Sequence, residues 1–292
     1  MKTNLYIAGI AFALIFSSCT KEELNVESSE LESTVASEKT PSTLLGLSSW
    51  KLTVPEDDDG DGEADEVYVD YTDNTDASDG SLLNLHKKGK DYYYKGGRNW
   101  VNFRADAGDP STSGSNNPRC ELRQMTSTGE TEKWWDLNSS IRRSMECTFK
   151  VLQTPSSKKV CFMQIHGDED HDGWDDVIRI QLRSANENAG IGDTATVYVM
   201  GDVVDNSADD LFEYTLGDTL RFTIAVHEGK VYVYDYLYDV RTSTNPEDGN
   251  PIRIYNSDSE RNYFKAGTYL QSEPSSGYGE TTFNRIKLRV KS

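Results

Sequence analysis

The chain has 292 residues and a formal net charge of −19, with 30 Lys and Arg against 49 Asp and Glu. So acidic a chain lacks the basic footprint of a nucleic-acid-binding domain, which excludes nucleic acid as the main partner. All-β sandwiches of this length commonly form one domain, so a single folded domain is favoured over two small ones. Because a negative surface repels anions at long range, any acidic ligand needs a local patch of positive charge.

The first 18 residues have the pattern of an export signal. A lysine is followed by an apolar run over 5–16, too short to span a bilayer, and then by small residues before Cys19. The sequence LIFSSC, which ends at Cys19, resembles a bacterial lipobox with Phe16 in place of the usual Leu. The resemblance implies removal of a lipoprotein signal peptide, 1–18, and lipidation of Cys19, whose acyl chains would hold the protein on a membrane.

Residues 19–43 are rich in Ser, Thr and Glu and have almost no large apolar side chains. This segment cannot bury enough surface to order itself, so we predict a disordered acidic tether. Its opening KEE, after Cys19, resembles the acidic export tag of surface lipoproteins in the Bacteroidetes. That resemblance implies a position on the outside of the bacterial outer membrane, and the alternative is a charged linker without an export role.

From residue 44 onward, segments with alternating polarity are separated by clusters of Gly, Asp, Asn and Ser, and no window has a convincing helical period. The predicted strand segments are 48–55, 66–71, 91–96, 100–105, 119–125, 144–152, 159–167, 176–184, 194–201, 220–240, 263–272 and 283–290. The chain is therefore predicted to be all-β, with two packed antiparallel sheets in a jelly roll or a related sandwich.

The segment 220–240 is predicted to be a hairpin that turns at Glu228 and Gly229. Three tyrosines share one face of its second strand: Tyr232, Tyr234 and Tyr236. Packing is the favoured role for these side chains, and a wall on which sugar rings stack is the alternative. Trp134 and Trp135, which are adjacent to each other in the sequence, have the same two possible roles, core packing or a sugar platform, and core packing is again favoured.

Besides Cys19, the chain has Cys120, Cys147 and Cys161, an odd number that leaves at least one thiol free unless it pairs between chains. The strands of Cys147 and Cys161 are joined by a short polar segment, and a hairpin would place the two cysteines opposite each other. Buried free thiols are favoured, with a disulfide between these two as the alternative.

Three of the predicted strands have polar faces that suit chemistry. The segment 119–125 puts two guanidinium groups beside one carboxylate: Arg119, Glu121 and Arg123. Such a triad is either a solvated ion-pair ladder or a rigid clamp in which the carboxylate fixes two arginines that grip an anion. The residues alone favour neither.

The segment 159–167 places Phe162, Gln164 and His166 on one face, with Met163 and Ile165 opposite. An amide beside an imidazole suits proton transfer near neutral pH, although a single His on a strand is more often an ordinary polar residue.

The segment 263–272 has an apolar face, which includes Phe264 and Ala266, and a polar face. The polar face carries two phenols, an ammonium and an amide: Tyr263, Lys265, Tyr269 and Gln271. A surface of this composition is more than a solvated strand needs.

The three blocks RCELR, QIH and YFKAGTYLQ resemble the R-x-E-L-R, Q-[IV]-H and Y-x-K-A-G-x-Y-x-Q blocks of the polysaccharide lyase family 7 alginate lyases, and they occur in the same order. The resemblance covers about 44–292, with Cys120 at a place where Ser or Thr is common. It implies a catalytic β-jelly roll with an open concave cleft, floored in part by the polar face of 263–272. The implied reaction cleaves 4-linked uronates such as alginate by β-elimination.

The resemblance also assigns roles. Arg119 and Gln164 would neutralise the uronate carboxylate, while His166 and Tyr269 would share the roles of base and acid. For guluronate, His166 would be the base and Tyr269 the acid; for mannuronate, Tyr269 would do both. Ile165 is associated in the family with guluronate-containing substrates. The remaining positions would bind or position the substrate: Asn117, Glu121, Arg123, Tyr263, Lys265 and Gln271.

Two alternatives to an alginate lyase remain at this stage, a lyase for another polyuronate such as glucuronan and a non-catalytic glycan-binding lipoprotein. The presence of both His166 and Tyr269 argues against pure binding, because a lectin needs neither a base nor an acid. We expect a monomer.

The mechanism requires no metal or other cofactor. Asp57, Asp59 and Asp61 are nevertheless spaced as at the start of a calcium loop, although its twelfth position is Tyr68 instead of Glu. A second such run has Arg179 at the twelfth position, and it is more consistent with an acidic loop at the rim of the cleft: Asp168, Asp170 and Asp172. Structural calcium at Asp57, Asp59 and Asp61 stays a hypothesis.

Overall fold

The computed structural model describes residues 40–68, 82, 92–97, 99–129 and 131–292. Within these residues the chain forms fifteen β-strands. The predictions for the signal peptide, Cys19 and most of the tether lie outside these residues. The strands are β1 Trp50–Thr53, β2 Glu66–Val67, β3 Tyr93–Gly97, β4 Trp100–Asp106, β5 Arg119–Gln124, β6 Arg142–Gln153, β7 Lys159–His166, β8 Ile178–Ser184, β9 Thr194–Met200, β10 Asp209–Thr215, β11 Leu220–His227, β12 Lys230–Tyr234, β13 Arg253–Asn256, β14 Tyr263–Leu270 and β15 Tyr278–Lys291. Two short α-helices, α1 Pro41–Leu45 and α2 Glu169–Asp172, accompany two 3₁₀ turns, Asp202–Val204 and Pro246–Asp248.

The strands form two sheets in which every pairing is antiparallel. The front sheet has the order β10-β9-β8-β7-β14-β5-β1-β2, and the back sheet has the order β13-β12-β11-β6-β15-β4-β3. Some neighbours are consecutive strands, as from β7 to β10 and from β11 to β13. The central neighbours β7-β14-β5 and β6-β15-β4 come from distant parts of the chain, because the chain crosses from one sheet to the other. This is the arrangement of a jelly-roll sandwich, and the prediction of an all-β fold with two antiparallel sheets is confirmed.

The core lies between the inner faces of the two sheets and is rich in aromatic rings. Phe149 of the back sheet lies 4.6 Å from Phe162 of the front sheet and 5.2 Å from Phe283, measured between ring centroids. Both sheets also contribute fully buried aliphatic side chains, such as Leu122 and Ile224. Because burial of one such side chain stabilises the fold by about 1.5–3 kcal/mol, this shared core is what holds the two sheets face to face.

The position of Phe162 differs from the prediction that it shares a face with Gln164 and His166. The pairing of β7 with β8 shifts by one residue between Cys161 and Met163, as in a β-bulge. The bulge breaks the alternation, so Phe162 and Met163 both enter the core. Phe162 is 0% exposed and packs against Phe149 and Phe222.

The predicted hairpin that would place Cys147 opposite Cys161 is wrong. Cys147 lies on β6 in the back sheet and Cys161 on β7 in the front sheet, so the segment that joins them crosses between sheets. The preference for buried free thiols is confirmed, since these two cysteines and Cys120 are buried and unpaired. Burial raises the pKa of all three thiols well above the ordinary value.

The hairpin at Glu228 and Gly229 is confirmed by the pairing of β11 with β12, and both turn residues have positive φ angles, 47° and 76°. The packing role of the tyrosines is confirmed as well. Tyr232 and Tyr234 are buried in a small cluster on the outer face of the back sheet, with Tyr236 packed against it. Tyr234 and Tyr238 stack there with centroids 4.4 Å apart.

Two strands that the sequence did not predict, β10 and β13, are the edges of the front and back sheets. Arg253 of β13 pairs with Asp209 of β10 at 2.8 Å, and the Tyr255 hydroxyl donates to the same carboxylate at 2.7 Å. This cluster lowers the pKa of Asp209, chiefly through the hydrogen bond from Arg253. The two edges are thereby tied to each other.

Helix α1 begins at Pro41, inside the segment that the sequence assigned to the tether. The Thr40 side chain caps it by accepting a hydrogen bond from the backbone N–H of Thr43 at 3.1 Å. The Ser42 hydroxyl, which is buried, donates to the Leu82 carbonyl at 2.8 Å. The packed part of the chain therefore includes residues just before 44. Within the described residues, neither helix has the length or the apolar character that crossing a membrane requires.

We predict that Phe162→Ala lowers the free energy of unfolding by about 3–5 kcal/mol, because the substitution leaves a cavity among Phe149 and Phe222. Urea unfolding followed by tryptophan fluorescence measures the change. The control is Ile191→Ala, a side chain that is 73% exposed, for which we expect a change within about 0.5 kcal/mol. A small decrease in the free energy of unfolding for Phe162→Ala would contradict the core position and favour a position on the cleft face.

Candidate active site

The outer face of the front sheet carries a row of cationic side chains. Cross-strand pairing aligns Lys51 of β1 with Arg123 of β5, Arg123 with Lys265 of β14, Lys265 with Gln164 of β7, and Gln164 with Arg179 of β8. Since directly paired residues point to the same face, four cations and one amide form a band across five strands. This cationic row is the local positive patch that an acidic ligand needs on so acidic a protein.

The other predicted site residues lie beside the cationic row on three neighbouring strands of the front sheet, β7, β14 and β5. His166 pairs with Tyr263, Arg119 pairs with Tyr269, and Glu121 lies opposite Gly267. The order β7-β14-β5 makes these strands direct neighbours although they are far apart in sequence. The structure therefore brings Arg119, Gln164, His166 and Tyr269 to one face.

The Glu121 carboxylate lies at the centre of a buried hydrogen-bond network. It is 0% exposed, and its Oε2 lies 2.8 Å from Lys265 Nζ and 3.6 Å from Arg119 Nη1. Its Oε1 accepts a hydrogen bond from the Gln164 amide. A buried carboxylate is stable only when it is paired, so Glu121 fixes the positions of two cations and one amide. This resembles the rigid clamp that was one interpretation of the RCELR segment, with one difference: the second cation at Glu121 is Lys265, whereas Arg123 pairs with Glu132 at 3.1 Å.

Burial and the neighbouring Arg119 lower the pKa of Lys265, while Glu121 opposes the shift. The Arg119 Nε and the Gln164 Oε1 are buried and have no hydrogen-bond partner among the described residues. Each of these two atoms is thus a polar group inside the clamp that no described protein group satisfies.

Gly267 permits the close approach of β14 to β5 beneath the network. Its φ angle is 149°, and a Cβ atom here would lie 2.5 Å from the Cys120 carbonyl oxygen and 2.8 Å from the Glu121 Cα. Any side chain would push the two strands apart, so the position requires glycine. The glycine in the YFKAGTYLQ segment is therefore part of how the network is built.

Tyr269 lies in a strongly positive environment. The Arg119 guanidinium is 3.9 Å from the ring centroid, and the Lys265 ammonium is 5.9 Å away. The hydroxyl is 2.9 Å from the Ser115 hydroxyl, and either group can be the donor. Ser115 thus gives the phenol a hydrogen-bond partner through which its proton can move.

His166 is held in one tautomer by its own backbone. Its Nδ1 lies 3.0 Å from the Gly167 carbonyl oxygen, which can only accept, so Nδ1 carries the hydrogen and Nε2 has a free lone pair. The ring stacks on Tyr263 with centroids 5.2 Å apart. Burial, followed by the positive charges of Lys265 and Arg119, lowers the pKa of His166 to about 3. At neutral pH the imidazole is therefore an uncharged base.

These groups line a cavity of about 490 Å³ on the front sheet. Six of the predicted site residues line it: Arg119, Arg123, His166, Tyr263, Lys265 and Tyr269. Glu121 and Gln164 lie beneath its floor and are fully buried. The remaining two predicted residues do not line it, and each is engaged elsewhere.

The side chains of Asn117 and Gln271 bond to the protein itself. The Asn117 carbonyl oxygen accepts from the Glu273 backbone N–H at 2.7 Å. The Gln271 carbonyl oxygen accepts from Arg179 at 3.1 Å and from Gln181 at 3.2 Å. The structure thus gives both residues positioning roles at the end of β14.

The two adjacent tryptophans have different positions, because neighbouring residues on an extended chain point in opposite directions. Trp135 is buried in the core, where its Nε1 donates to Gln124 at 2.9 Å, so core packing is confirmed for this residue. Trp134 lines the cavity, with the guanidinium of Arg123 4.9 Å and that of Arg261 4.3 Å from its ring. For Trp134 the platform interpretation stays a hypothesis.

The acidic loop between β7 and β8 has structural uses for its aspartates. Asp168 pairs with Arg261 at 2.7 Å, and Asp172 accepts from the Glu260 backbone N–H at 2.5 Å. Backbone hydrogen bonds of this kind lower the pKa of Asp172 against the opposing effect of burial. The carboxylates of Asp168 and Asp172 thus anchor the loop to the segment before β14, and this use accounts for acidity beside the cationic row.

The hypothesis of calcium at the first acidic loop has a geometric basis. Asp57, Asp59 and Asp61 place one carboxylate oxygen each within 4.8 Å of one another. The same carboxylates accept hydrogen bonds from backbone N–H groups of their own loop, as Asp57 does from Gly60 at 2.7 Å. The loop is thus organised by its own backbone, and calcium stays a hypothesis.

The sequence missed several residues of the cavity. Lys51 and Thr53 come from β1, whose alternation with Trp50 and Leu52 would have placed them on the polar face. Glu66 comes from β2, and the other missed residues come from loops or the short helix α2, where no strand periodicity marks a face: Thr112, Ser113, Gly114, Glu132, Glu169, Asp175 and Asp176. Ser115, whose hydroxyl lies 2.9 Å from that of Tyr269, comes from the same loop as Ser113.

Comparisons with known proteins agree with this geometry. The family model described as alginate lyase matches residues 45–290. Among solved structures, the alginate lyase AlgAT5 from polysaccharide lyase family 7 is 28% identical with a TM-score of 0.64, over 87% of this chain and 99% of that one. The marine family 7 alginate lyase of Zobellia galactanivorans is 26% identical with a TM-score of 0.68, over 86% of this chain and 100% of that one.

A third structure, a Tyr→Phe variant of the family 7 alginate lyase A1-II′ in complex with a product designated GGG, is 20% identical with a TM-score of 0.60, over 86% of this chain and 99% of that one. No curated protein matches the sequence. The fold is that of the family 7 alginate lyases, and the family match makes the chain a polysaccharide lyase. The chain belongs to the alginate lyase family, whose model covers most of its length.

We predict that His166 keeps the neutral Nδ1–H tautomer from pH 8 down to pH 5. The folded-state pKa of about 3 lies below the ordinary 6.5, so the unfolded chain binds a proton that the folded chain does not. The His166 contribution to stability is therefore complete above about pH 6.5 and falls as the pH drops toward 3. Nitrogen-15 NMR of the histidine rings measures tautomer and charge, with His166→Gln to assign the signal and the urea-unfolded chain as the reference. An imidazolium signal for folded His166 at pH 6 would contradict the prediction.

Proposed function

We propose that this lyase depolymerises alginate by β-elimination and leaves 4,5-unsaturated uronate ends. The observation that carries the proposal is the meeting of an anion clamp, an uncharged imidazole and a phenol on one face of three adjacent strands. Alginate is a polymer of 4-linked uronates, so each sugar ring presents the carboxylate that the clamp fits.

Neutralisation of that carboxylate is the first requirement of the reaction. The C5 hydrogen of a uronate is barely acidic, because the adjacent carboxylate already carries a negative charge. Arg119 lines the cavity, so its guanidinium brings positive charge and N–H donors to it. The Gln164 amide nitrogen carries two hydrogens, of which Glu121 takes one, so a second donor remains. Together these donors would stabilise the charge that develops when C5 loses its proton.

Proton transfer is the second requirement. His166 Nε2, an unprotonated nitrogen at the cavity wall, would take the C5 proton of a guluronate residue. The Tyr269 hydroxyl would give its proton to the departing O4, and Ser115 would help to restore it. Lys265 and Arg119 would stabilise the phenolate that forms in between.

A preference for guluronate-containing blocks follows from this division of roles. In guluronate the C5 hydrogen and O4 lie on opposite faces of the ring, which suits a base and an acid on two different strands, β7 and β14. In mannuronate they lie on the same side, so Tyr269 would have to act as both, without help from His166. Ile165, beside His166, is the residue that the family resemblance links to guluronate.

Membrane attachment is a separate part of the proposal. The sequence LIFSSC supports signal cleavage after residue 18 and lipidation of Cys19, and the KEE that follows supports display on the outer surface of the outer membrane. A tether over 19–39 would let the lyase domain reach polymer in solution. We propose that the anchored protein acts as a monomer.

The test of the catalytic proposal follows the ultraviolet absorbance of the new C4=C5 bond during incubation with polyguluronate and polymannuronate. We expect turnover, with the higher kcat/KM on polyguluronate. Tyr269→Phe should lower kcat by about 100-fold or more, the range expected for loss of a positioned acid, while binding of the polymer persists.

Tyr236→Phe is the matched control, because this phenol lies on the back sheet and its loss should leave kcat unchanged. Full activity of Tyr269→Phe would refute the role of the phenol, and absence of any unsaturated product with either polymer would refute the function.

We predict that Cys19→Ser abolishes incorporation of radiolabelled palmitate and releases the protein from the outer membrane, because the acylated sulfur no longer exists. Membrane fractionation and protease treatment of intact cells measure attachment and surface exposure. Cys161→Ser, a change in a buried thiol, is the control that should keep the label. Persistent labelling of Cys19→Ser would contradict the proposed anchor.

A further inference from the structure

The free nitrogen of His166 faces a carboxylate for which the proposed reaction has no role. Asp175 Oδ1 lies 3.3 Å from His166 Nε2, and Asp176 Oδ1 lies 4.0 Å from the same atom. Because Nδ1 is occupied by the Gly167 carbonyl, Nε2 is the atom through which the ring both accepts and releases a proton. Any group in contact with Nε2 is therefore on the path of that proton.

The backbone holds Asp175 in this position. The Gly167 N–H donates to the Asp175 carbonyl oxygen at 2.5 Å, which closes the β7–β8 loop at its base. A Cβ atom on Gly167 would lie 2.2 Å from the Trp174 carbonyl oxygen, so only glycine allows the loop to return this closely. The residue after His166 thus fixes both the tautomer of the ring and the approach of the carboxylate.

Asp175 and Asp176 differ in what else they contact. Asp176 forms an ion pair with Arg179 at 3.1 Å and is partly buried. The Asp175 side chain is 52% exposed, against 22% for that of His166, and its backbone N–H donates to Asp202 at 3.3 Å. Asp175 is therefore the group that contacts both the sheltered imidazole and the solvent.

The charges around the pair favour transfer of a proton from the imidazolium to Asp175. On the side of His166, burial and the cations Lys265 and Arg119 disfavour the charged ring, with Glu121 in opposition and the Tyr263 phenol stacked on it. On the other side, burial raises the pKa of Asp175, and the surrounding acidic groups raise it further against an opposing Lys265: Asp176, Glu169 and Asp202. An imidazolium that releases its proton readily thus lies beside a carboxylate that accepts protons more readily than usual.

We propose that Asp175 acts through His166 as a proton relay, which removes from Nε2 the proton taken from C5 and passes it to water. The inference rests on the proposed function. In the elimination, Nε2 takes the C5 proton, the C5–H electron pair becomes the C4=C5 bond, the C4–O4 bond breaks and O4 takes the Tyr269 proton. The proton on Nε2 then passes to the Asp175 carboxylate and on to water, and the Tyr269 phenolate takes a proton from water. No proton is gained or lost overall.

The relay gives the proton a direct exit from a ring that is only 22% exposed and has a single nitrogen open to proton transfer. Without Asp175, the imidazolium is sheltered by Tyr263 and its Nδ1–H is bonded to the Gly167 carbonyl. Release of the proton then becomes slow, while the first elimination on fresh enzyme is still fast. Loss of the relay should therefore affect later turnovers more than the first.

The test uses the full-length protein and Asp175→Asn on polyguluronate in dilute buffer. We expect a burst of about one unsaturated end per enzyme molecule, followed by a steady-state kcat about 10- to 100-fold below wild type, at or below the lower end of what a positioned acid or base contributes. KM should change little. Added formate should restore kcat of the variant in proportion to its concentration, because a small carboxylate replaces the missing acceptor. The same formate series on wild type corrects for binding of formate to the cationic row.

Asp170→Asn is the matched control, because it removes one charge from the exposed part of the same loop, and it should keep the wild-type kcat without a burst. A variant Asp175→Asn that lacks both the burst and the formate dependence, yet unfolds at the wild-type urea concentration, would overturn the relay alone. Wild-type protein that forms no unsaturated product would instead overturn the proposed function.

Discussion

The buried carboxylate of Glu121 is the constraint on which the cleft depends. A negative charge without access to water is stable only with close partners, and the partners here are Lys265, Arg119 and the Gln164 amide. In the proposed reaction these are also the groups that would meet the carboxylate of a uronate. The cation positions are therefore set before any substrate arrives, so binding does not need to order them. On a chain with a charge of −19, this is how a positive surface persists.

The sequence predicts which side chains share a face of one strand, but it does not say which strands are neighbours. Alternation correctly assigned the polar faces of β5 and β14, and the family resemblance joined them with β7. The row that Lys51 and Arg179 complete depends on pairings β1-β5 and β7-β8 that no local pattern reveals. Ser115 and Asp175 lie on loops, where the chain has no period to read. The acidic loop was predicted as a rim, whereas its contacts with Arg261 and Glu260 are visible only in three dimensions.

The sequence predicts those strands in which apolar side chains alternate with polar ones, because that alternation marks a buried face. β10 and β13 were missed because edge strands are half exposed and, in β10, rich in acidic residues. The position of Phe162 was wrong because a bulge changes the alternation by one residue without any glycine or proline to announce it. The predicted hairpin that placed Cys147 opposite Cys161 was wrong, because a short connection in a sandwich can cross between sheets as readily as it can turn within one.

The three core cysteines bear on where such a domain can work. Each thiol is enclosed by packed side chains, and burial keeps it in the unreactive protonated form. The fold thus requires no disulfide to form, and its described cysteines offer oxidants no exposed thiol. Packing alone maintains it, so a shift between reducing and oxidising surroundings leaves the architecture of the cleft unchanged.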